Sequence, residues 1–309
     1  MNHLIVDGSP KLKSPIMLVS FSGWPDAHDA ATGAIKYLSS QLHAKKFAAI
    51  DPEEFYVFTR TRPQARNNDV GEREMQWPSN EFSYWHDDST ARDLLLFSGV
   101  EPQLKWKTYT SAIVDMAVKH RVEMVIVLGS LMDSVPHTRA AKVSGSANVR
   151  DIAELLEQDN EAHSGYEGPT GVTTALMEAC AKSGIKYASM WGHTPHYLQA
   201  TPNLRVSLAL VERIARVLGL NVSLADLEET CGTYDQRVLR SMVNTVETTS
   251  YIQGLEDRYD QAAEVRLDES HSELPSSDAV IEELEAFFRE FSPHENVDLD
   301  GPDDIAVRG

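Results

Sequence analysis

Short apolar runs alternate with helical patterns of apolar residues between residues 16 and 220 of this chain. The clearest run is Met124 to Leu128 (MVIVL), which is typical of a strand buried on both faces. A chain that alternates strands and helices in this way favours a mostly parallel sheet covered by helices. The alternation therefore predicts an α/β protein with a three-layer α/β/α core and a mostly parallel or mixed sheet.

The same patterns place the individual elements. Arg60 to Glu81 is polar and rich in turn formers, which predicts a long loop, and Gly129 is predicted to end the central strand. The predicted strands are Ile16–Phe21, Phe55–Thr59, Asp93–Phe97, Met124–Leu128, Val143–Val149 and Ile185–Met190. The predicted helices are His28–Leu42, Trp106–His120, Asp151–Gln158, Thr173–Ser183 and Asn203–Leu218.

The pattern changes after the last of these helices. Leu224 to Ala263 is predicted to form two helices, and Asp278 to Phe291 is predicted to form an amphipathic one. The final stretch is acidic and is predicted to be disordered. The sequence thus predicts an α/β core over residues 1–222, a helical extension over 223–292 and an acidic tail over 293–309.

The formal net charge is −19, and most of it belongs to the C-terminal segment. From Leu255 to Gly309 there are 17 Asp and Glu against 4 Lys and Arg, a net −13, which leaves −6 for the rest of the chain. A negative field of this size repels phosphate backbones. We therefore expect no nucleic-acid partner, and we expect the acidic end to be a solvated surface or a charge that steers partners.

Composition also predicts the compartment. No apolar run approaches the length of a membrane-spanning helix, and the first 13 residues lack the apolar segment of a signal peptide. Cys180 and Cys231 lie far apart and outside any metal-type spacing, as expected of free thiols in a reducing compartment. The sequence predicts a cytoplasmic protein with no membrane partner.

Three ordered groups of motifs resemble the proteasome assembly chaperone 2 family. Their order and spacing match the family over about residues 1–220, and the combination is far more specific than any single motif. In chain order the segments are Phe21–Ala27 (FSGWPDA), then Leu128–Ser130 (LGS) with Val135–Arg139 (VPHTR) and Val143–Gly145 (VSG), then Tyr166–Val172 (YEGPTGV) with Trp191–Tyr197 (WGHTPHY).

This resemblance implies a three-layer fold of the phosphorylase/hydrolase type. It also implies kinship with chaperones that help to assemble the proteasome core particle, in the prokaryotic, actinobacterial type of member. Such relatives resemble homo-oligomers, so a homo-oligomer is expected here, with a trimer favoured. The C-terminal region is longer than in eukaryotic members, and no catalytic residue of the family carries over. Fold alone does not determine function.

Two loops that precede predicted helices are candidate anion sites. Ser22 and Gly23 could present backbone N–H groups at a helix N-terminus. Asp26 and Asp29 argue against a bound phosphate because they already place negative charge there. Asp26 is favoured as a helix cap instead.

The glycine-rich turn before the next predicted helix is the second of these loops. Gly165, Gly168 and Gly171 could form a phosphate-binding nest, although their spacing matches neither the dinucleotide fingerprint nor the P-loop. The favoured alternative is a tight turn whose glycines need a positive φ.

Polar residues also follow the most buried strand. His137, Thr138 and Arg139 lie just beyond it, and ligands of open α/β sheets bind outside the carboxyl ends of strands. Arg139 could hold a carboxylate or phosphate, including an acidic tail of a partner. It could equally pair with a nearby acid such as Asp133, and both alternatives stay open.

His193 and His196 form an HxxH pattern across a proline. Pro195 breaks the helical register that would place both rings on one face, and no carboxylate lies close behind them in the sequence. We therefore favour a structural role in a loop after a strand, packed by Trp191 and Tyr197, and predict no metal site.

Four serines near strand ends are further candidates for a nucleophile. Ser20, Ser22, Ser130 and Ser189 lie outside any G-x-S-x-G elbow. A triad would need a serine, a histidine and an acid brought together in space, which is not visible in a sequence.

These observations favour a protein-binding or assembly factor without catalysis, with no cofactor. Its expected partners are proteins, possible proteasome subunits among them, and the C-terminal helices are expected to supply contacts. The alternative is a small-molecule-binding protein or a hydrolase- or phosphorylase-type enzyme, provided that the polar strand-end loops meet in one cleft.

Overall fold

The computed structural model describes residues 3–68, 71–147, 168–198, 201–242 and 246–271. The chain divides into two compact units, residues 1–259 and 260–309. The first unit contains the sheet, the flanking helices and the candidate sites. The predicted helices at Asp151–Gln158 and Asp278–Phe291 and the acidic tail lie outside the described residues.

Alternating apolar side chains build the centre of the sheet. In the strand Ile16–Ser22, Met17, Val19 and Phe21 enter one core, while Ile16 and Leu18 enter a second core on the opposite face. Met124–Asp133 divides its side chains in the same way. Both strands are therefore covered on both faces, as their continuous apolar runs predicted.

Eight strands form the main sheet, and two more form a separate hairpin. The sheet order is β1-β3-β6-β7-β2-β8-β10-β9, and β4 pairs with β5. The strands are β1 (Leu4–Val6), β2 (Ile16–Ser22), β3 (Lys45–Ile50), β4 (Gln64–Asn67), β5 (Arg73–Gln76), β6 (Glu81–Trp85), β7 (Leu94–Val100), β8 (Met124–Asp133), β9 (Val143–Ala147) and β10 (Lys186–Pro195).

The sheet is mixed. Neighbouring strands among β7, β2, β8 and β10 pair in parallel, whereas β1, β3, β6 and β9 pair antiparallel with their neighbours. The α/β fold predicted from the alternation is confirmed. Its parallel centre aligns the carboxyl ends of several strands along one edge, which is where such sheets bind ligands.

Helices cover both faces of the sheet and complete the three layers. The first and fourth helices pack in one core, and the second and third pack in the other. Asn203 caps the fourth helix by accepting a hydrogen bond from the Val206 N–H, and Gly219 ends it at φ +64°. The helices are α1 (Ala30–Gln41), α2 (Trp106–Lys119), α3 (Val172–Lys182), α4 (Leu204–Leu218), α5 (Ala225–Ser241) and α6 (Val246–His271).

The structure corrects three local predictions. Phe55 to Thr59 is not a strand but a largely turn-like segment, in which Phe55 and Tyr56 are buried by packing outside the sheet. The predicted loop Arg60–Glu81 contains the β4–β5 hairpin. Gly129 does not end β8, because the strand continues to Asp133; a Cβ atom at Gly129 would lie 2.6 Å from the Trp191 ring.

The two helices predicted after residue 224 are present as α5 and α6. Leu227 and Cys231 of α5 join the core of α1 and α4. Cys180 and Cys231 are both buried free thiols, as predicted. Among the residues described, no helix is both long and apolar enough to cross a membrane.

Candidate functional site

A spacious cleft lies at the carboxyl ends of β2 and β8. We call it the strand-end cleft; its volume is 1400 Å³. Gly23, Gly168 and Gly171 line it, so the structure brings together two of the loops singled out in the sequence. The other lining residues are Trp24–His28, Ser130–Met132, Ser144–Ala147, Pro169, Thr170, Thr173, Thr174, Met177, Tyr187, Ser189 and Trp191.

Ser22 and Gly23 are adjacent but face different spaces. Gly23 has a φ of +113°, which favours glycine, and it lines the strand-end cleft. Ser22 instead lines a separate groove of 620 Å³ beside α1, β6 and β7. The pair therefore does not act as one anion-binding loop.

Carboxylates of the chain itself occupy both helix N-termini at this edge. Asp26 accepts hydrogen bonds from the N–H groups of Ala31 (2.7 Å) and Thr32 (3.1 Å), which confirms its predicted capping role. Glu101 accepts one from the Val172 N–H at 3.1 Å, at the start of α3. These positions are the ones that a bound phosphate would use, so the geometry argues against the phosphate-binding hypothesis for both loops.

Asp26 also joins two central strands. Its carboxylate accepts a hydrogen bond from the Ser130 hydroxyl at 2.8 Å, which ties the loop after β2 to the end of β8. Burial raises the pKa of Asp26, and its hydrogen bonds oppose that shift. The residue shapes the wall of the cleft and holds it in place.

Gly171 corrects the expectation of a positive φ. Its φ is −98°, in the extended region, so the glycine is not required by backbone conformation. A Cβ atom there would lie 2.9 Å from the Trp24 ring and 3.2 Å from the Glu101 carboxylate. Close approach of these two side chains is the reason for glycine. Gly165 lies outside the described residues.

His137 and Arg139 line a second cleft, of 570 Å³, between the segment 135–142, α4 and α5. The Tyr197 hydroxyl accepts a hydrogen bond from the His137 backbone N–H and lies 2.8 Å from its Nδ1. Burial lowers the pKa of His137, which favours the neutral ring. His137 therefore anchors its loop to Tyr197.

Arg139 pairs with Glu256 of α6 rather than with Asp133. Its Nη1 lies 3.3 Å from Glu256 Oε1, and the Thr138 hydroxyl also hydrogen bonds to Glu256. Arg139 therefore pairs with an acid of this chain, as one of the two alternatives held, but that acid is Glu256, and Asp133 contacts His193 instead. The other alternative, that Arg139 holds a carboxylate or phosphate of a partner, stays a prediction.

His193 and His196 do not form a metal pair. His193 lies within β10, not in a loop, and its two ring nitrogens contact Asp133 and Ser144. His196 contacts the Asp133 carbonyl through Nδ1 (3.0 Å) and the Tyr251 hydroxyl through Nε2 (3.0 Å). Within the described ranges, no group of three or more His, Cys, Asp or Glu side chains could hold a metal ion.

The polar loops therefore divide between several spaces, so the condition on which the small-molecule or enzyme alternative depended, one common cleft, is not met by all four of them. The segment that carries His137 and Arg139 faces α4 and α5, whereas Gly23 and Gly171 lie near the start of α3. His193 bridges the division, since it lines the second cleft and contacts Ser144 of the first.

Within the part of the chain that the structure describes, none of the four candidate serines is hydrogen bonded to a histidine. Ser20 is fully buried, Ser130 donates to Asp26, and Ser189 lies 3.0 Å from the Ser146 hydroxyl. The serine that does contact a histidine is Ser144, which the sequence did not reveal. Its partner lies 49 positions away on another strand, and only the pairing of β9 with β10 joins them.

A comparison with models of known protein families gives a match that covers most of this fold. The PAC2 family model matches residues 20–242, which contain the end of β2, β3 to β10, α1 to α5 and both clefts. The chain belongs to the PAC2 family. The resemblance read from the three groups of motifs is thereby confirmed.

Solved PAC2 structures from actinobacteria are similar in sequence and fold. A PAC2 family protein from Streptomyces avermitilis is 33% identical, with a TM-score of 0.70, and the match covers 77% of this chain and 99% of that one. The Mycobacterium tuberculosis proteasome-assembly chaperone homologue Rv2125 is 32% identical, with a TM-score of 0.68 and the same coverage. The actinobacterial character of the resemblance is confirmed.

An archaeal protein shares the fold at greater distance. Pyrococcus furiosus PbaB, an archaeal proteasome activator, is 18% identical, with a TM-score of 0.64, and the match covers 78% of this chain and 99% of that one. No curated protein matches this PAC2 chain significantly.

Proposed function

We propose that this PAC2 protein is a protein-binding assembly factor for the proteasome, and that it docks its partner at the strand-end cleft. Membership of the family supports an assembly role, because one relative is described as a proteasome-assembly chaperone homologue. A more distant protein of the same fold is described as a proteasome activator.

The observation that carries the proposal is a rim of apolar side chains around the strand-end cleft. Trp24 is 69% exposed, Met132 63% and Met177 41%, and all three line the opening. Large apolar side chains that cluster in water around one opening are typical of protein-binding surfaces. Methionines adapt their shape to a partner, and tryptophan is among the residues that contribute most to binding energy.

Charge limits the kind of partner segment that this cleft accepts. Among the described residues that line it, none is Lys or Arg, and Asp26 is an acid. The helix N-termini are occupied by Asp26 and Glu101. An uncharged, apolar segment of a proteasome subunit is therefore a better match than a phosphorylated or strongly acidic one.

The first prediction is that the full chain forms a complex with proteasome α or β subunits from its own organism. Native mass spectrometry of the mixture gives the stoichiometry, and it also tests the expected homo-oligomer and the favoured trimer. The double variant Trp24→Ser/Met132→Ser should weaken binding at least about 10-fold, since it removes two exposed apolar contacts worth more than about 1.4 kcal/mol together.

The matched control is Val118→Ser on α2, which also removes an exposed apolar side chain (56% exposed) but lies away from the cleft. It should bind like the wild type. Absence of any complex, together with unchanged assembly kinetics of the core particle, would rule out the proteasome role. An equal loss of affinity in the control would show that the docking surface is not the strand-end cleft.

A further inference from the structure

Three polar side chains from neighbouring strands form a hydrogen-bonded line that an assembly role does not require. Asp133 ends β8, His193 lies on β10 and Ser144 lies on β9. His193 Nδ1 is 2.7 Å from Asp133 Oδ2, and its Nε2 is 2.8 Å from Ser144 Oγ. This order of acid, imidazole and hydroxyl is the arrangement that activates a serine for nucleophilic attack.

The protonation states follow from the contacts. The hydrogen bond from His193 lowers the pKa of Asp133 to about 2, so this group is a carboxylate at neutral pH and can only accept. Nδ1 must then carry a proton, and in the neutral ring Nε2 has a free lone pair. In that tautomer Nε2 is placed to accept the hydrogen bond of the Ser144 hydroxyl at 2.8 Å, which is the geometry of a general base before catalysis.

Further hydrogen bonds hold Asp133 and His193 in place. Asp133 Oδ1 accepts the Ser134 N–H at 2.6 Å, and the His193 N–H donates to the Lys142 carbonyl at 2.9 Å. His193 is 8% exposed, which protects the imidazole from bulk water. Ser144 is partly exposed and lines the strand-end cleft, so its hydroxyl can meet a molecule bound there.

The pairing of β9 also supplies a donor for developing negative charge. The His193 N–H bonds to Lys142, so the alternation of an antiparallel ladder makes Gly145 and Met190 a pair without hydrogen bonds. The Gly145 N–H therefore points away from β10. The N–H of the residue after a nucleophilic serine stabilises the oxyanion in other serine hydrolases.

We propose that Ser144 is a catalytic nucleophile, with His193 as its general base and Asp133 as the positioning residue, and that the strand-end cleft hydrolyses uncharged esters with an apolar acyl group. The cleft favours this substrate class because Trp24, Trp191 and Tyr187 supply aromatic walls. Its described lining contains no Lys or Arg to bind an anionic group. The inference does not rest on the assembly role.

The reaction balances with water as the second reactant. Ser144 Oγ attacks the acyl carbon while His193 Nε2 takes the hydroxyl proton, and the C–O bond to the alcohol then breaks as that proton passes to the leaving oxygen. Water next attacks the acyl-serine and gives its proton to Nε2. Release of the carboxylic acid returns that proton to Ser144, so ester and water become acid and alcohol.

The test uses the full-length protein with a fluorophosphonate probe and with p-nitrophenyl butyrate. The probe should form one adduct, which peptide mapping by mass spectrometry places on Ser144. Ser144→Ala should lose both labelling and turnover. Asp133→Asn should be labelled at least about 100-fold more slowly, because the imidazole loses its orienting carboxylate.

Ser83→Ala provides the control, since Ser83 is a partly exposed strand serine on β6 outside the strand-end cleft, and its labelling should equal that of the wild type. A folded wild type without an adduct on Ser144 would overturn the proposal, as would an Asp133→Asn variant labelled at the wild-type rate. Turnover of p-nitrophenyl phosphate in place of the butyrate would overturn the substrate class. Mapping of the wild-type adduct remains decisive even if Ser144→Ala does not fold.

The two proposals can fail separately. Ser144→Ala removes only a hydroxyl group and leaves the exposed apolar rim unchanged, so it should bind proteasome subunits as the wild type does. A wild type that binds proteasome subunits but forms no adduct on Ser144 would leave the assembly role intact and overturn the nucleophile. A wild type that is labelled on Ser144 but binds no proteasome subunit would do the opposite.

Discussion

At the scale of single residues, contacts that span long sequence distances decide what each candidate site can do. Asp26 and Glu101 fill the helix N-termini that could otherwise hold an anion. Asp133 orients His193 from 60 positions away. The residue types at these sites are visible in the sequence, but their partners are not, because pairing depends on strand order and register. This is why the sequence did not indicate Glu256 as the partner of Arg139.

The pKa of Asp133 gives a prediction of pH dependence. It is lowered to about 2 from 3.8, so the contact with His193 stabilises the folded state above about pH 4 and loses that effect as the pH falls towards 2. Asp133→Asn should be less stable than the wild type at pH 6, and the difference in the free energy of unfolding should shrink between about pH 4 and about pH 2. Urea denaturation across that range measures it; a difference that grows on acidification would contradict the assignment.

At the scale of elements, the strands buried on both faces were predictable and the strands at the sides of the sheet were not. β2, β7 and β8 carry continuous apolar runs, and such short runs of strand-forming residues indicate a strand covered on both faces. β3 (KKFAAI) pairs antiparallel with β1 and β6 and contains lysine and alanine, so its sequence carries only a weak strand signal. The strand predicted at Phe55–Thr59 was wrong because burial of Phe55 and Tyr56 does not come from sheet pairing. The Tyr56 hydroxyl instead hydrogen bonds to the Asn80 side chain at 2.7 Å.

Glycines inside strands mark close contacts between layers rather than strand ends. A Cβ atom at Gly192 of β10 would lie 2.3 Å from Val206 Cγ1 on α4. Gly192→Ala should therefore lower the free energy of unfolding by about 1–3 kcal/mol through overpacking. Gly232→Ala on α5 is the matched control, because nothing lies within 4 Å of its added Cβ, and it should stabilise by up to about 1 kcal/mol. Chemical denaturation measures both, and equal signs for the two variants would refute this account.

At the scale of the whole molecule, the helical extension is partly joined to the α/β core. Leu227 and Cys231 of α5 enter a main core, and the first part of α6 contacts the segment 135–142 through Glu256 and Tyr259. The domain boundary at residue 222 stays a prediction. It followed from a change in sequence pattern, and such a change reports local structure rather than how tightly one segment packs on another.

The Glu256 contacts predict how α6 responds to substitution. Glu256→Ala removes the partners of Thr138 and Arg139, so amide hydrogen exchange in residues 246–259 should accelerate about 5- to 10-fold. Asp257→Ala is the control, because Asp257 accepts a hydrogen bond from Gln253 within the same helix. Mass spectrometry of peptides from α6 reads the rates. Equal acceleration in both variants would show that the ion pair does not hold the helix.

The carboxylates that occupy the helix N-termini also bear on competition from small anions. Where free phosphate or nucleotides are abundant, a cleft with open N–H groups would be filled by them for much of the time. Here Asp26 and Glu101 already hold those groups, so such anions gain little by entering. We expect a binding partner to find the cleft vacant at any phosphate or nucleotide concentration, and recognition then depends on shape and apolar area.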